Sequence, residues 1–510
     1  MNQERSQVQS AAQASRTGQA AGVGLEVGGV HSSEAGSEFD LHARNAGYRA
    51  ALKAKSRDSA RSHASQRSKG QGEGPAPAGI KTPEKVRPLQ RTLYRKAKAE
   101  PRYRFWTLYG EILRRDVLEH ALQRVAANHG GPGVDGQRVE TIRASPESQQ
   151  QWLDALQAEL KTKTYRPSPV RRVCIPKGHG GQRPLGIPTV KDRVVPMAAT
   201  LVLMPIFEAD FPPRSFGFRP RRNAHQAIEE IVRALRRGRA EVLDADLSKY
   251  FDTLPQQGLL RLVARRISDG SVLRLLKRWL RAPVVEEERD GRRRSKPNLS
   301  GTPQGGVISP LLANLYLNGL DWAVNEKVVG QPVLVRYADD LVILAAPGQG
   351  TELRERLRKW LHARGLSLNE EKTRLVNSRE GFNFLGFTVR WQRARAPDRW
   401  YGHVEPAAKS RQALRAQVRG ILNHWTHWQS IGEVVSELNP LLRGWSGYFH
   451  FRHSSRVMGQ MQGWVRACFK GWLWRKQGQS KGKWAGYPDD LLHDRYGLWR
   501  LPTKAAWKLT

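Results

Sequence analysis

The pattern of apolar and polar residues is clearest over residues 332–344, where two apolar runs flank a short polar segment. Val and Ile favour strands and Asp is depleted from them, so each run predicts a strand and the polar residues a turn. The segment Tyr337-Ala338-Asp339-Asp340 therefore forms the tip of a predicted β-hairpin. Two adjacent carboxylates, Asp339 and Asp340, stand at that tip.

A second short apolar strand is predicted around residues 242–246, and it ends on Asp246. Because strand side chains alternate between faces, Asp244 and Asp246 share one face, and at most one should be deeply buried beside a metal. The aromatic residues Tyr250 and Phe251 follow in a predicted turn. Elsewhere in the chain, a buried helix is predicted over 191–207, an amphipathic helix over 352–364, and a strand with a close-approach glycine over 382–389.

Two glycine-rich turns lie among these elements. Residues 178–182 join a strand ending at Lys177 to a strand starting at Arg183, so the two cations flank one turn. Such a pair can clamp a triphosphate, although solvated surface charge explains it locally as well. The second turn, around residues 299–310, contains Gly305, and its glycines allow the backbone to approach a ligand closely.

Composition changes along the chain and suggests four regions. Residues 1–80 are rich in Ala, Gly, Ser, Gln and Arg and predict a disordered basic tail. Residues 81–150 predict basic helices that form an N-terminal extension of the strand-containing region. That region, residues 151–395, holds the strands described above. Residues 396–510 predict helices dense in Arg, Trp and His.

The charge of the chain points to a polyanionic partner. Lys and Arg number 85 against 47 Asp and Glu, which gives a net charge of +38 and a pI near 10.8. Phosphate neutralisation drives the binding of such proteins to nucleic acid, and an anionic membrane surface is the weaker alternative. Two distant cysteines predict a reducing compartment, with neither a disulfide nor a zinc site. With no transmembrane span or signal peptide apparent, we expect a cytoplasmic protein.

The carboxylates Asp246, Asp339 and Asp340 are the candidate catalytic residues. Neighbouring carboxylates repel each other unless a cation lies beside them, and Mg²⁺ prefers oxygen ligands. Two-metal phosphoryl transfer needs carboxylates that converge from separate strands. Spacing does not establish that convergence, and a solvated Asp-Asp turn is the alternative for the hairpin.

The ordered series of motifs resembles the group II intron-encoded reverse transcriptase/maturase family. The matching blocks, quoted from this sequence, are Ile175-Pro-Lys, Arg183-Pro-Leu-Gly-Ile-Pro, Phe216-Gly-Phe-Arg-Pro, the 246–252 segment, Thr302-Pro-Gln-Gly-Gly, Tyr337-Ala-Asp-Asp, Leu368-Asn-Glu-Glu-Lys-Thr, Phe384-Leu-Gly-Phe and Leu438-Asn-Pro-Leu-Leu-Arg-Gly-Trp-Ser-Gly-Tyr. They cover roughly residues 80–510. The resemblance implies an α+β right-hand polymerase, with fingers and an antiparallel palm sheet, followed by a helical thumb and maturase (X) region.

The resemblance also implies an activity and roles for particular residues. The activity would be RNA-directed DNA polymerisation by two Mg²⁺ ions, or Mn²⁺, together with assistance to intron splicing and mobility. Partners would be an RNA template, a DNA primer, dNTPs and a group II intron RNA, in a bacterial cytoplasm and near the nucleoid. The implied residues are, for metal binding and catalysis, Asp246, Asp339 and Asp340; for nucleotide binding, Lys177, Arg183, Phe251, Gln304 and Gly305; and for RNA binding, Arg219, Arg443 and Trp445.

One departure from the family pattern leaves alternatives open. Many relatives end in a zinc-binding HNH endonuclease with paired cysteines, whereas this chain has one cysteine, Cys468, in its last third. We therefore expect the form without that domain and without second-strand cleavage. The alternatives are a free-standing or defence-associated reverse transcriptase without an intron, and a non-catalytic RNA-binding splicing cofactor.

Overall fold

The structure, a computed structural model, describes residues 80–176, 182–287, 292–303, 305–327, 331–394, 399–423, 426–478 and 487–504, all within one compact unit. The predicted N-terminal tail lies outside this described part, as do Lys177 and Gln304. The helices are α1 Val86–Ala99, α2 Tyr109–Ile112, α3 Arg115–Ala126, α4 Val139–Ile142, α5 Pro146–Lys161, α6 Lys191–Glu208, α7 Ala224–Arg236, α8 Tyr250–Thr253, α9 Gln256–Ala264, α10 Gly270–Arg281, α11 Ser309–Lys327, α12 Gly350–His362, α13 Ala408–Ile421, α14 Ile431–Phe449 and α15 Ser455–Lys476. The strands are β1 Val170–Pro176, β2 Gln182–Ile187, β3 Glu241–Ala245, β4 Val284–Glu287, β5 Arg293–Lys296, β6 Val333–Tyr337, β7 Asp340–Ala345, β8 Arg374–Asn377, β9 Phe382–Phe384, β10 Phe387–Arg393 and β11 Trp400–Pro406.

Helix α6 is the buried helix that the apolar run predicted. It is apolar around most of its circumference, so it is covered from several sides, by α1, α2 and α3 among others. Two prolines lie inside the helix, and the Thr200 hydroxyl donates to the Pro196 carbonyl at 2.8 Å, within the helix itself. These helices share one hydrophobic core with side chains from one face of strands β3, β6 and β7.

A four-stranded sheet in the order β2-β1-β4-β5 forms the fingers. Strands β1 and β2 make the antiparallel hairpin that the sequence predicted, with Ile175 opposite Arg183. Strand β4 joins β1 in parallel, with Val170 opposite Val284, and β5 closes the sheet as an edge strand. The residues of β5 are all exposed, as expected of a charged edge strand.

A second sheet, in the order β6-β7-β3-β8, is antiparallel throughout and forms the palm. Its alternating side chains enter two different cores. Leu341 and Ile343 of β7 face the core that contains α6, whereas Val342 and Leu344 face a core built on α7. Strand β6 is buried at every position and β7 at all but its first residue, because helices cover both faces of the palm.

The prediction of one strand over 382–389 is wrong, because the structure forms a hairpin there. Strands β9 and β10 pair antiparallel on either side of Leu385 and Gly386, which have φ values of 50° and 80°. Two consecutive positive φ values are typical of a tight hairpin turn, so Gly386 is a turn residue. Strand β11 completes this third sheet.

The C-terminal helices α13, α14 and α15 share a third core rich in aromatic side chains. Phe469 and Trp472 of α15 stack there with ring centroids 5.8 Å apart, and Trp472 is fully buried. Ser430 begins α14 with a capping box, in which its hydroxyl accepts from the Glu433 amide. None of the described helices has the length and apolar character that crossing a membrane requires.

Candidate active site

The three candidate carboxylates come together at one edge of the palm sheet. Strand β3 pairs with β7 so that Ala245 lies opposite Leu341, which places Asp246 beside the start of β7 at Asp340. Strands β6 and β7 are joined by the two residues Ala338 and Asp339. Asp246, Asp339 and Asp340 are all partly exposed, so they are accessible at this edge.

The turn at the hairpin tip has an unusual backbone held by close packing. Ala338 has a φ of 58°, a left-handed conformation that is uncommon for residues other than glycine. Gly217 lies so near that a Cβ atom there would be 2.3 Å from the Ala338 nitrogen. A side chain at position 217 would therefore displace the turn that carries Asp339.

A buried arginine lies directly behind the turn. Arg336 is fully buried, and its Nε donates to Asp321 Oδ1 on helix α11 at 2.7 Å. Its other nitrogens donate to the Ala338 carbonyl at 3.0 Å, to Asn314 Oδ1 and Ser215 Oγ at 2.8 Å each, and to the second oxygen of Asp321. One guanidinium thus connects the hairpin turn to α11 and to the loop before α7.

The charge of Arg336 also interacts with the carboxylate of Asp339 at this edge. Burial alone would lower the pKa of Arg336, but the Asp321 carboxylate raises it above its ordinary value, and Asp339 acts in the same direction. Asp339 likewise contributes to the raised pKa of the buried Tyr250 hydroxyl, whose main cause is burial. A fixed cation therefore lies behind the acidic turn.

The segment that follows α12 holds the end of strand β3. The Asn369 amide donates to the Asp246 carbonyl at 2.8 Å, and the Asp246 amide donates to Thr373 Oγ1 at 3.4 Å. Lys372 Nζ donates to Asp246 Oδ2 at 3.0 Å from a largely exposed side chain. On the same face of the strand, burial and the charge of Asp246 raise the pKa of Asp244 to about 6.

The donor set fits a divalent cation that substrate helps to bind. Within the described ranges, no three His, Cys, Asp or Glu side chains are grouped closely enough to enclose a metal ion. Mg²⁺ is commonly held by one or two carboxylates together with substrate phosphates and water. This edge supplies the carboxylates for such a site. The contact of the Lys372 ammonium with Asp246 is consistent with an edge that attracts positive charge.

The predicted nucleotide-binding residues are described in part. Lys177, Gln304 and the side chain of Arg183 lie outside the described part of the chain, so their contacts stay predictions. Phe251 is partly buried beside Tyr250, and its carbonyl accepts from the Thr302 amide at 2.7 Å. Gly305 has a φ of 102°, and a Cβ atom there would lie 2.2 Å from the Gly186 carbonyl oxygen.

The glycine-rich segment therefore runs between the turn of Phe251 and strand β2. The close approach of Gly305 is to the protein backbone, so a glycine is needed there whether or not a ligand binds.

Two predicted RNA contacts are wrong because their side chains are buried. Arg219 is 2% exposed, and it donates to Glu208 and to the carbonyls of Pro212 and Ser215. It therefore supports the loop behind the hairpin. Trp445 is 7% exposed in the C-terminal core, so it has little surface left on which a base could stack.

The third predicted RNA contact remains open to test. Arg443 is exposed, and its guanidinium lies 4.7 Å from the centre of the Trp499 ring. RNA binding by Arg443 stays a prediction.

Sequence reasoning missed Arg336, Asp321, Asn314 and Gly217, which position the turn. A signal was present for the first two. Arg336 interrupts an apolar strand and Asp321 an apolar helix, and a charge in such a position requires a buried partner.

Comparisons with known proteins agree with this arrangement of palm and helices. The family model for reverse transcriptase (RNA-dependent DNA polymerase) matches residues 175–389, and the model for the group II intron maturase-specific domain matches residues 411–487. The chain therefore combines a right-hand polymerase of the reverse transcriptase class with a maturase domain.

The relatives identify the family more closely. Protein YkfC of Escherichia coli is 34% identical over 63% of this chain and 93% of its own length. Group II intron-encoded protein LtrA of Lactococcus lactis is 30% identical over 57% of this chain, a match that covers 57% of LtrA. A protein in the cob intron of Schizosaccharomyces pombe is 25% identical over 67% of this chain and 50% of its own length. The chain belongs to the family of group II intron-encoded reverse transcriptases and maturases.

Proposed function

We propose that this chain copies RNA into DNA from a DNA primer, using dNTPs and two Mg²⁺ ions. The observation that carries the proposal is the pairing of Ala245 with Leu341, which brings Asp246 beside the acidic hairpin turn. Carboxylates from separate strands at one edge are the arrangement that two-metal nucleotidyl transfer uses.

In this proposal each residue at the edge has a distinct role. Asp246 and Asp339 would hold the metal ions, and Asp340 would lie beside the primer end. When bound, the ions would favour deprotonation of the primer 3′-hydroxyl and stabilise the charge of the triphosphate. Arg336 keeps the turn in place, so the carboxylates need little reorganisation when substrate arrives. Phe251 would exclude a ribose 2′-hydroxyl.

The remaining nucleotide contacts are proposed from the motifs. Lys177 and Arg183 flank the turn of the fingers hairpin and would bind the triphosphate, which paired cations do well. Gln304 and Gly305 would contact the nucleotide or the template from the segment beside Phe251. Lys372 would leave Asp246 when a metal ion binds, since its side chain is largely exposed.

A second activity, assistance to splicing of a group II intron RNA, is proposed for the C-terminal helices. Arg415 and Arg419 of α13 both lie over the ring of Trp464, at 5.6 and 5.5 Å from its centre. The ring of Trp464 thus positions two arginine side chains, which can contact phosphates. With such partners, we propose a cytoplasmic, nucleoid-associated location. The intact acidic edge argues against the alternative of a non-catalytic RNA-binding splicing cofactor.

Primer extension on an RNA template tests the polymerase proposal. Asp339→Asn removes a charge at the turn and should abolish extension, while RNA affinity stays within a few fold. Asp154→Asn is the matched control, because Asp154 is an exposed carboxylate that pairs with Arg115 in the N-terminal helices. Undiminished extension by Asp339→Asn would show that the hairpin is not the catalytic site.

The same variants separate polymerisation from splicing. Splicing of the cognate intron at low Mg²⁺ should survive Asp339→Asn, because it would depend on contacts of the C-terminal helices. Loss of both activities in this variant would contradict two separable surfaces. If the wild-type chain bound no group II intron RNA, the alternative of a free-standing reverse transcriptase would be favoured.

A further inference from the structure

A basic groove lies beside the palm, and none of the three candidate carboxylates is among its lining residues. Its volume is about 1030 Å³, and it is bounded by α9, by the end of α10, by residues 297–299, by the first half of α11 and by the end of α12. That volume is at the upper end of what small-molecule sites occupy, and the groove is partly open to solvent. It can therefore accommodate an extended ligand.

The charge around the groove has one sign. Arg261, Arg265, Arg281 and Arg364 all line it, and no Asp or Glu is among its described lining residues. The first three are exposed, and within the described ranges none of them forms an ion pair with a carboxylate. Like charges gathered without counter-charges destabilise the free protein, and a polyanion would relieve this repulsion.

The floor of the groove is aromatic and fixed in place. Trp360 lies on it, with the Arg364 guanidinium 3.9 Å from the ring centre. The Tyr316 hydroxyl donates to the Arg364 carbonyl at 2.6 Å, which ties α11 to the end of α12. Leu299 adds an apolar side chain that is 84% exposed at the rim. Flat rings together with arginines are the features on which unpaired bases stack.

One wall of the groove is hydrogen-bonded to the proposed nucleotide-binding segment. Gln256 Nε2, in the groove wall, donates to the Gly301 carbonyl at 3.1 Å. The next residue, Thr302, donates its amide to the Phe251 carbonyl. A strand that lies in the groove would therefore run close to the segment where the incoming nucleotide is expected to pair.

We propose that this groove binds the unpaired part of the RNA template, 5′ of the nucleotide being copied. The template is single-stranded before it is copied, and its bases are then free to stack on Trp360 while its phosphates meet the arginines. The inference rests on the proposed polymerase function, and it adds a contact surface outside the catalytic edge. An acidic protein segment, the competing occupant, would have no use for the partly exposed ring of Trp360.

Binding measured with two duplexes tests this assignment. Fluorescence anisotropy of the full chain is followed with an RNA–DNA template–primer that is blunt, and with one whose RNA strand has an unpaired 5′ extension. The wild type should bind the extended duplex more tightly. Replacing Arg261, Arg265 and Arg281 together by Ala should remove that preference, roughly a tenfold loss with a lower salt slope, while leaving the blunt duplex unchanged.

A steric variant tests the groove without changing its charge. In Gly319→Leu the new side chain would start 3.6 Å from Trp360 and cover its ring. Leu favours helix over Gly, so α11 should stay folded. A loss of about fivefold is expected for the extended duplex, because stacking contributes on the order of 1 kcal/mol per base. The charge control belongs to the triple arginine variant: it replaces Arg354, Arg356 and Arg358 of α12 by Ala, which removes the same formal charge outside the groove. These three arginines pair with glutamates of their own.

The outcomes distinguish this inference from the polymerase proposal. Equal loss with both duplexes, equal loss in the control, or no loss in either groove variant would overturn the template groove. Addition of a single nucleotide, on a duplex whose RNA strand extends by only one unpaired nucleotide, reports on the catalytic edge alone. If the wild type extended no primer, the polymerase proposal would fail, and the anisotropy measurement would still decide the groove.

Discussion

The palm and the C-terminal helices distribute charge and aromatic rings in opposite ways. In the palm, a cation is buried: Arg336 is enclosed behind the acidic turn, with Asp321 as its partner. In the C-terminal helices, the aromatic ring of Trp445 is buried, and Arg443 of the same helix is exposed.

The contrast separates two ways of supporting function. The palm depends on a few polar contacts that fix one backbone turn, so single substitutions there should have large effects. The C-terminal helices have an apolar core that maintains the fold and an exposed set of arginines, whose effects should be small and cumulative. The four predictions below test this difference.

The largest effect is expected from Arg336→Met. Removing the guanidinium leaves Asp321 buried without its counter-charge, which should lower the free energy of unfolding by about 3–5 kcal/mol. Primer extension should also fall, because the Ala338 carbonyl loses its donor. Urea unfolding and single-turnover extension measure the two losses.

The double variant Arg336→Met, Asp321→Leu separates folding from positioning. Apolar residues of similar size often replace a buried ion pair without loss of stability, so most of the unfolding free energy should return. Extension should stay low with the Michaelis constant for dNTP little changed. Full recovery of the extension rate would show that the ion pair does not position the turn.

A large but local effect is expected from Trp445→Ala. The cavity left in the C-terminal core should cost about 3 kcal/mol or more. At a temperature where the variant is folded, extension on a short template should remain within a few fold of the wild type. Thermal unfolding followed by tryptophan fluorescence measures the first effect. An equal loss of extension would mean that the palm depends on this core.

An intermediate effect is expected at low pH from His453, which lies where the third sheet meets the C-terminal helices. Burial, with help from His403 and Arg452, lowers the pKa of His453 to about 4, while Glu405 opposes the shift. The unfolded chain takes up this proton near pH 6.5 and the folded chain near 4. The contribution of neutral His453 to the free energy of unfolding is therefore fully present above pH 6.5, and it is lost as the pH falls toward 4.

His453→Gln should flatten that part of the stability curve. After allowance for solvent screening, the difference between variant and wild type should be about 1–2 kcal/mol. Urea unfolding at several pH values between 4 and 7 measures it. Parallel curves for the two proteins would show that His453 is not the titrating group.

The smallest effect is expected from Arg443→Ala. Stability should change by less than about 1 kcal/mol, since the side chain is exposed. Affinity for structured RNA should fall a few fold, and the salt slope should decrease by about one phosphate contact. Arg233→Ala serves as the control, because Arg233 is an exposed arginine of α7. Equal losses for the two would leave Arg443 without a specific role.

The grouping of the three carboxylates at one edge of the palm was predictable because its signals are local. Asp246 and the hairpin carboxylates each end an apolar strand, and antiparallel pairing of such strands brings their ends together. The support behind the edge was less predictable. Arg336 and Asp321 are separated in sequence, and neither residue type indicates its partner, although each stands out as a charge in an apolar element.

Two of the errors share one physical cause, which is that residue type does not reveal burial. Arg219 lies in a basic loop that suggested RNA contact, yet two carbonyls and Glu208 satisfy its guanidinium inside the protein. Trp445 is in a helix whose tryptophan and arginine both suggested RNA, and the fold buries one of them. In residues 382–389 the apolar pattern continued through Leu385, so the turn was hidden until the backbone was known.

The strand order of the palm also has a consequence for synthesis on the ribosome. Strand β3 is synthesised well before its two neighbours in the sheet, because β7 begins at Asp340 and β8 at Arg374. At the usual pace of translation, the nascent chain carries β3 for about 5 to 20 s before β7 has been made. During that time an apolar strand has both edges unpaired, and such edges aggregate readily. Slower translation of residues 246–340 should therefore lengthen this exposure and increase the need for chaperones.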